Sequence, residues 1–165
     1  MEIFFHGEAA QTNGTPVSVG QKLPDFTVKN SAGQAKTQSE LLTKPTLISV
    51  VPDINTRICS ISTKHFNQEV DKFAQINFYT ISTNTLDQQK DWCAAEGVAK
   101  LELLSDADAD FGKKMGLYVA DKNIDARSIW IVDVDGKVLY QELLSEQKNE
   151  PDYQKALAFL TELTK

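Results

Sequence analysis

A run of β-branched and apolar residues, Thr46-Leu47-Ile48-Ser49-Val50-Val51, halts at Pro52 and gives way within a few residues to a helical pattern. The run suits a buried central strand because branched side chains pack well on a pleated surface, and it stops where a proline cannot donate to the ladder. Beyond it Ile58, Ile61, Phe66, Val70 and Phe73 recur at spacings close to the helical repeat. This predicts a helix that packs those five residues and turns Lys64, Glu69, Asp71 and Lys72 outward. A buried strand feeding an amphipathic helix requires a sheet with helices laid against it.

The rest of the chain continues that rhythm. Ile76 to Ser82 reads as a second strand, Leu86 to Ala95 as a helix closed by Gly97, and Leu101 to Leu104 as a short third strand. Leu86 and Cys93, seven apart, share a face of their helix. Ala107 to Lys114 is weakly helical and closes at Gly116. Ser128 to Val132 and Lys137 to Tyr140 bracket Asp135-Gly136, a strong antiparallel hairpin signal. Pro151 opens a last helix with an apolar stripe of Tyr153, Ala156, Leu157, Leu160 and Leu163. Residues 1–20 read as an N-terminal hairpin in which Ile3-Phe4-Phe5 and Val17-Ser18-Val19 flank a turn at Asn13-Gly14. The expected fold class is α/β and thioredoxin-like, a mixed central sheet flanked by helices, with residues 1–165 forming a single domain. No repeat or linker divides it.

Composition narrows the function. With 17 Lys plus Arg against 23 Asp plus Glu the net charge is −6, and no basic stripe stands out, which argues against nucleic acid as a partner. No window approaches 18 uninterrupted apolar residues and the start lacks a signal-peptide pattern, so the expectation is a cytoplasmic protein without a membrane partner. Two cysteines are too few for a disulfide framework or a four-ligand zinc site, and His6 and His65 lie far apart, so no metal is expected. Asp106, Asp108 and Asp110 resemble the opening of a calcium loop but lack its glycine and closing Glu, and read better as a solvated acidic turn. Trp92 and Trp130 read as core or interface aromatics.

Cys59 sits where the predicted helix begins. A cysteine in a first helical turn faces unpaired backbone N–H groups and the positive end of the helix dipole, both of which favour a thiolate. It is a candidate nucleophile; a buried, inert cysteine is the alternative that these residues alone leave open. Thr56 precedes it as a helix N-cap or as a hydrogen-bonding partner of the sulfur.

Pro52, Thr56 and Cys59 resemble the active-site motif of the peroxiredoxins, within them the thiol peroxidase branch of atypical two-cysteine enzymes. Phe66-Asn67-Gln68, Cys93-Ala94-Ala95-Glu96-Gly97, Arg127 opening its strand, and Glu150-Pro151-Asp152-Tyr153 are similar to further segments of that branch in the same order. The resemblance implies a peroxidase that reduces hydrogen peroxide and organic hydroperoxides. Cys59 would become a sulfenic acid, Cys93 would resolve it as an intramolecular disulfide, and thioredoxin would reduce that bond. Pro52, Thr56 and Arg127 would bind the peroxide, Thr56 by orienting it and Arg127 by stabilising thiolate and developing oxyanion. With the two cysteines on separate helices, one or both helix ends must unwind for the bond to form. A homodimer is also implied, with Trp92 and Phe111 available to an interface, and no cofactor is required. A preference for organic hydroperoxides comes from the same likeness.

Arg57 stands where the branch is expected to have a small residue, and Thr83 to Asp87 also departs from its pattern. Two functions of other classes remain open at this point: a thiol-based peroxide sensor, and a non-catalytic thioredoxin-like binding module that would tolerate Cys59→Ser.

Overall fold

The computed structural model describes residues 1–98 and 100–165. The run read as a central strand is β5 (Thr46–Val50), every residue of which is buried. It pairs in parallel with β6 (Asn77–Ser82), which pairs in parallel with β7 (Glu102–Ser105). On its other side it meets β10 (Ser128–Val132), antiparallel, and β10 continues through the turn at Gly136 into β11 (Val138–Leu143). Two strands from the stretch that the sequence left unassigned, β3 (Thr27–Lys29) and β4 (Ala35–Thr37), extend the sheet beyond β7. The order is β11-β10-β5-β6-β7-β3-β4. This is the mixed, thioredoxin-like sheet that the sequence led us to expect.

Alternation along the central strands supplies two cores. Ile48 and Val50 of β5 and Trp130 and Val132 of β10 face one side, where they meet Leu41 of α1 (Gln38–Leu41), Phe111 and Met115 of α4 (Asp110–Met115), and Ile3. Leu47, Ile129 and Ile131 face the other, against α2 (Arg57–Glu69), α3 (Leu86–Glu96) and α5 (Tyr153–Leu163). Period-two burial on both faces is what a sheet covered by helices requires. Trp92 and Phe111 are taken up in these cores, 5% and 0% exposed, so neither serves the dimer interface suggested for them.

Two further expectations need correction. The N-terminal hairpin pairs β1 (Glu2–Phe5) with β2 (Glu8–Gln11), not with Val17–Val19. Its turn is His6-Gly7, whose φ values of 50° and 83° match the two positive φ angles that a tight hairpin turn demands. Asn13 instead uses its side-chain amide, donating to the Lys113 carbonyl and accepting from the Tyr118 N–H, to tie the following loop to α4. In α2 the buried face is Cys59, Ser62, Thr63 and Phe66, while Ile58 and Ile61 are only half-buried at its edge. Apolar periodicity misses this face because two of its residues are polar. The hydroxyls of Ser62 and Thr63 donate to the Cys59 carbonyl at 3.1 and 2.8 Å, which satisfies them inside the core.

Candidate functional site

The end of β5, the start of α2 and the start of β10 converge on Cys59. Pro52 follows the strand and is buried, and a short loop then brings Thr56 to the N-cap position with extended backbone angles. Cys59 lies in the first turn and is wholly buried, and both it and Cys93 carry free thiols. The Thr56 hydroxyl makes neither of the bonds considered for it. It donates to the Asp53 carbonyl at 2.9 Å and caps no helical N–H.

Arg127 is the closest functional neighbour of the sulfur. Residues ahead of a strand are usually solvated when charged, but this one is 4% exposed and its Nη2 lies 3.2 Å from Cys59 Sγ. A buried guanidinium stays charged, so it presents a fixed positive donor to the sulfur. Nε of Arg127 donates to the Gln147 carbonyl at 2.8 Å, and the Arg127 backbone N–H donates to the Gln147 side-chain oxygen. Nη1 is buried and has no partner among the described residues. Gln147, 2% exposed, is a positioning residue that the sequence did not disclose. Its backbone N–H in turn donates to the Phe4 carbonyl, which links the N-terminal hairpin to the arginine.

A cavity of about 270 Å³ opens beside these groups, lined by Pro52, Thr56, Ile58 and Arg127 together with Phe5, His6, Arg57, Gln147 and Lys148. All three residues expected to bind peroxide therefore line one space. Tyr153 borders the Cys59 face of α2: its ring stacks on His65 at 4.0 Å and meets Phe66 edge-on at 5.5 Å. Burial and the Glu150 carboxylate, which accepts its hydroxyl proton at 2.9 Å, push the phenol well above its usual range, so it remains a donor.

Cys93 stands apart from this space. It lies in the last turn of α3 and lines a different cavity of about 460 Å³ with Leu86, Gln89, Val98, Leu101 and Leu103. Burial pushes its thiol up, which keeps it protonated and a poor nucleophile where it rests. Leu86 and Cys93 do share a face, as expected. The two cysteines pack on the same side of the sheet, but the structure does not bring them into one site.

The acidic run is not a solvated turn throughout. Asp106 is 1% exposed and accepts the N–H groups of Phe111 and Gly112, both at 2.9 Å, which starts α4; Asp108 is exposed and pairs with Lys29 at 3.9 Å. Among the described residues no group of three or more His, Cys, Asp or Glu side chains is arranged to hold a metal ion, and no helix is long and apolar enough to cross a membrane.

A thioredoxin-like sheet that buries a helix-start thiol under an arginine defines a protein of the peroxiredoxin type. Residues 19–141 match the AhpC/TSA family, and the chain belongs to that family. It is similar over 165 residues to a thiol peroxidase of Bacillus subtilis (strain 168), at 39% identity and with 99% of each chain covered. A thiol peroxidase of Staphylococcus aureus (strain Mu50 / ATCC 700699) is 38% identical over 95% of this chain and 96% of its own. Among solved structures, a peroxiredoxin-like protein from Aquifex aeolicus superposes with a TM-score of 0.88 at 26% identity, covering 98% of this chain and 96% of that one. Thiol peroxidase from Chromobacterium violaceum gives 0.89 at 16% identity over 100% and 98%, a likeness of fold.

Proposed function

We propose that the thiol-dependent peroxide reduction of this peroxiredoxin-type enzyme runs through Cys59, with Arg127 holding the reacting atoms and Cys93 resolving the product. The observation that carries this is the 3.2 Å approach of Arg127 Nη2 to Cys59 Sγ, both groups being buried. A thiolate there attacks the distal oxygen of R–O–O–H. The sulfur–oxygen bond forms as the oxygen–oxygen bond breaks, sulfur is oxidised to sulfenic acid, and the departing alkoxide takes up a proton to leave as the alcohol. Arg127 faces negative charge throughout, first on sulfur and then on the departing oxygen, and its unpartnered Nη1 is a second donor for the latter. Because the guanidinium is already fixed by Gln147, little reorganisation is needed during the reaction.

Cys93 then condenses with the sulfenic acid, releasing water and forming the disulfide. That step needs Cys93 to leave its own cavity or Cys59 to leave the core. The disulfide so exposed is reduced by an external dithiol, for which a protein of the thioredoxin type is the fitting reductant. Pro52 and Thr56 frame the peroxide's approach, the Thr56 hydroxyl turning from Asp53 toward the sulfur when substrate enters. We further propose a cytoplasmic homodimer built from a single domain.

Intact mass and thiol count after one equivalent of cumene hydroperoxide test this assignment. Wild type is expected to lose both thiols and two mass units, Cys93→Ser to stop at a sulfenic acid that dimedone traps, and Cys59→Ser to keep its thiol. Unchanged thiols in folded wild type would overturn the assignment and return Cys59 to an inert core residue.

A further inference from the structure

The cavity beside Cys59 is positively charged in a negatively charged protein. Arg57, Arg127 and Lys148 line it, none of its nine lining residues is acidic, and among the described residues none of the three cations forms an ion pair. A fourth cation, Lys122, holds its ammonium 4.7 Å from the centroid of the Phe5 ring, which is one wall. Glu146 is the acid nearest Lys148 in sequence; the backbone N–H groups of His6, Gly7 and Lys148 hold its carboxylate ionised, and that one negative charge leaves the cations in excess. Of the other six lining residues, Phe5, Pro52 and Ile58 are hydrocarbon and His6, Thr56 and Gln147 are polar.

From this juxtaposition we propose that the cavity selects organic hydroperoxides that bear a carboxylate, with Arg57 and Lys148 as the specificity-determining cations. This rests on Cys59 as the reacting thiol. The space of about 270 Å³ has room for more than a water-sized molecule, which takes about 30 Å³, and so admits the body of an organic hydroperoxide. Phe5, Pro52 and Ile58 receive the hydrocarbon body, the buried Arg127 meets the peroxide at the sulfur, and the two exposed cations at the rim meet the carboxylate. The net charge of −6 opposes any anion from afar. Screening limits that repulsion to about 8 to 10 Å, whereas the rim cations act at contact. The local charge therefore decides.

The test compares cumene hydroperoxide with its para-carboxylate derivative, which adds one negative charge to the same reacting group. Pre-reduced protein is mixed with each, and the second-order rate of thiol loss is read. Wild type is expected to favour the anion by about fivefold, the scale of an exposed ion pair, and added salt should shrink that ratio. Arg57→Gln combined with Lys148→Gln should bring the ratio to one or below, whereas Arg57→Lys alone should retain most of the wild-type ratio. Both changed residues are exposed, and thermal unfolding confirms that the variants fold. A wild-type ratio of one or less, a ratio that rises with salt, or an undiminished ratio in the double variant would each overturn the proposal. If neither peroxide consumes thiol, the assignment of Cys59 fails and the proposal falls with it; consumption of the neutral peroxide alone refutes only the charge selection.

Discussion

Arg127 is fixed from two directions at once, by Gln147 through Nε and by the sulfur through Nη2. A lysine at this position would keep the charge but has a single ammonium, which cannot reach both partners in the planar fork that a guanidinium provides. Arg127→Gln is expected to slow oxidation of Cys59 by about 10² to 10³-fold, the usual effect of removing one donor to a developing oxyanion. Arg127→Lys should fall between the two, and stopped-flow oxidation of the reduced variants checks both. A second buried pair lies two residues away. Asp125 is wholly buried, neither carboxyl oxygen accepts a bond from the described residues, and it faces Asp106, which already accepts two backbone N–H groups. Burial first, and then the Asp106 charge, push Asp125 well above the usual carboxylate range, so the pair shares one proton that rests on Asp125. Gly112 is required here, because a Cβ would collide with the Asp125 carboxyl. The folded state binds this proton more tightly than the unfolded chain does. Its contribution to stability is therefore complete below the ordinary carboxylate range and is lost as pH rises through the raised value. Asp125→Asn supplies a donor to Asp106 without a proton. Its urea midpoint should vary less with pH than that of wild type above the ordinary carboxylate range, and at neutral pH it should be the more stable by about 1 kcal/mol.

The helices that carry the two cysteines differ in how their ends are secured. Helix α3 begins with a reciprocal capping box between Thr85 and Gln88 and ends on Gly97, whose φ of 69° lets its N–H return to the Cys93 carbonyl. Helix α2 begins with an N-cap threonine that caps nothing, no acid in its first turn, and Arg57 placed against the positive end of the dipole. A lost N-cap is worth about 1 kcal/mol, so when the disulfide must form, α2 is the element that gives way. Oxidation should raise amide hydrogen exchange and proteolysis in residues 55–62 more than in 88–97; equal change in both, or change in α3 alone, would contradict this. Once α2 opens and releases the Cys59 sulfenic acid, the resolving step should accelerate as pH rises because the Cys93 thiolate fraction grows. The local features behind these elements were legible in the sequence: Thr46–Val51, Asp135-Gly136, Gly97 and the position of Cys59 all signal through neighbours only a few residues away. The buried face of α2 was not, because Ser62 and Thr63 are polar until their hydroxyls are seen to close on the Cys59 carbonyl.

Across the whole molecule, the groups that shape the site come from both ends of the chain. Phe5 and His6 belong to the first hairpin, Gln147 and Lys148 to the segment before α5, and only folding places them around Pro52 and Arg127. No sequence window contains that arrangement, which is why Gln147 and the charged mouth escaped detection while the motif around Cys59 did not. Asp125 and Asp106 met in the same way, through the return of the short ribbon β8–β9 (Tyr118–Val119, Ile124–Asp125) past α4. The hairpin also works at a distance from the sulfur. Ile3 is fully buried in the core opposite α2, Phe4 exchanges backbone hydrogen bonds with Ser145 and Gln147, and Gln147 holds Arg127. Ile3→Ala should cost about 3 kcal/mol of stability, as a buried isoleucine truncated to alanine typically does. If the hairpin only added stability, Cys59 in the folded fraction would react at the wild-type rate. Because it sets the position of Gln147, the folded fraction of Ile3→Ala should react more slowly, with the loss smaller than that of Arg127→Gln. Oxidation rates measured well below the melting temperature separate the two cases, and a melting shift with an unchanged rate would mean that the hairpin supports the fold alone.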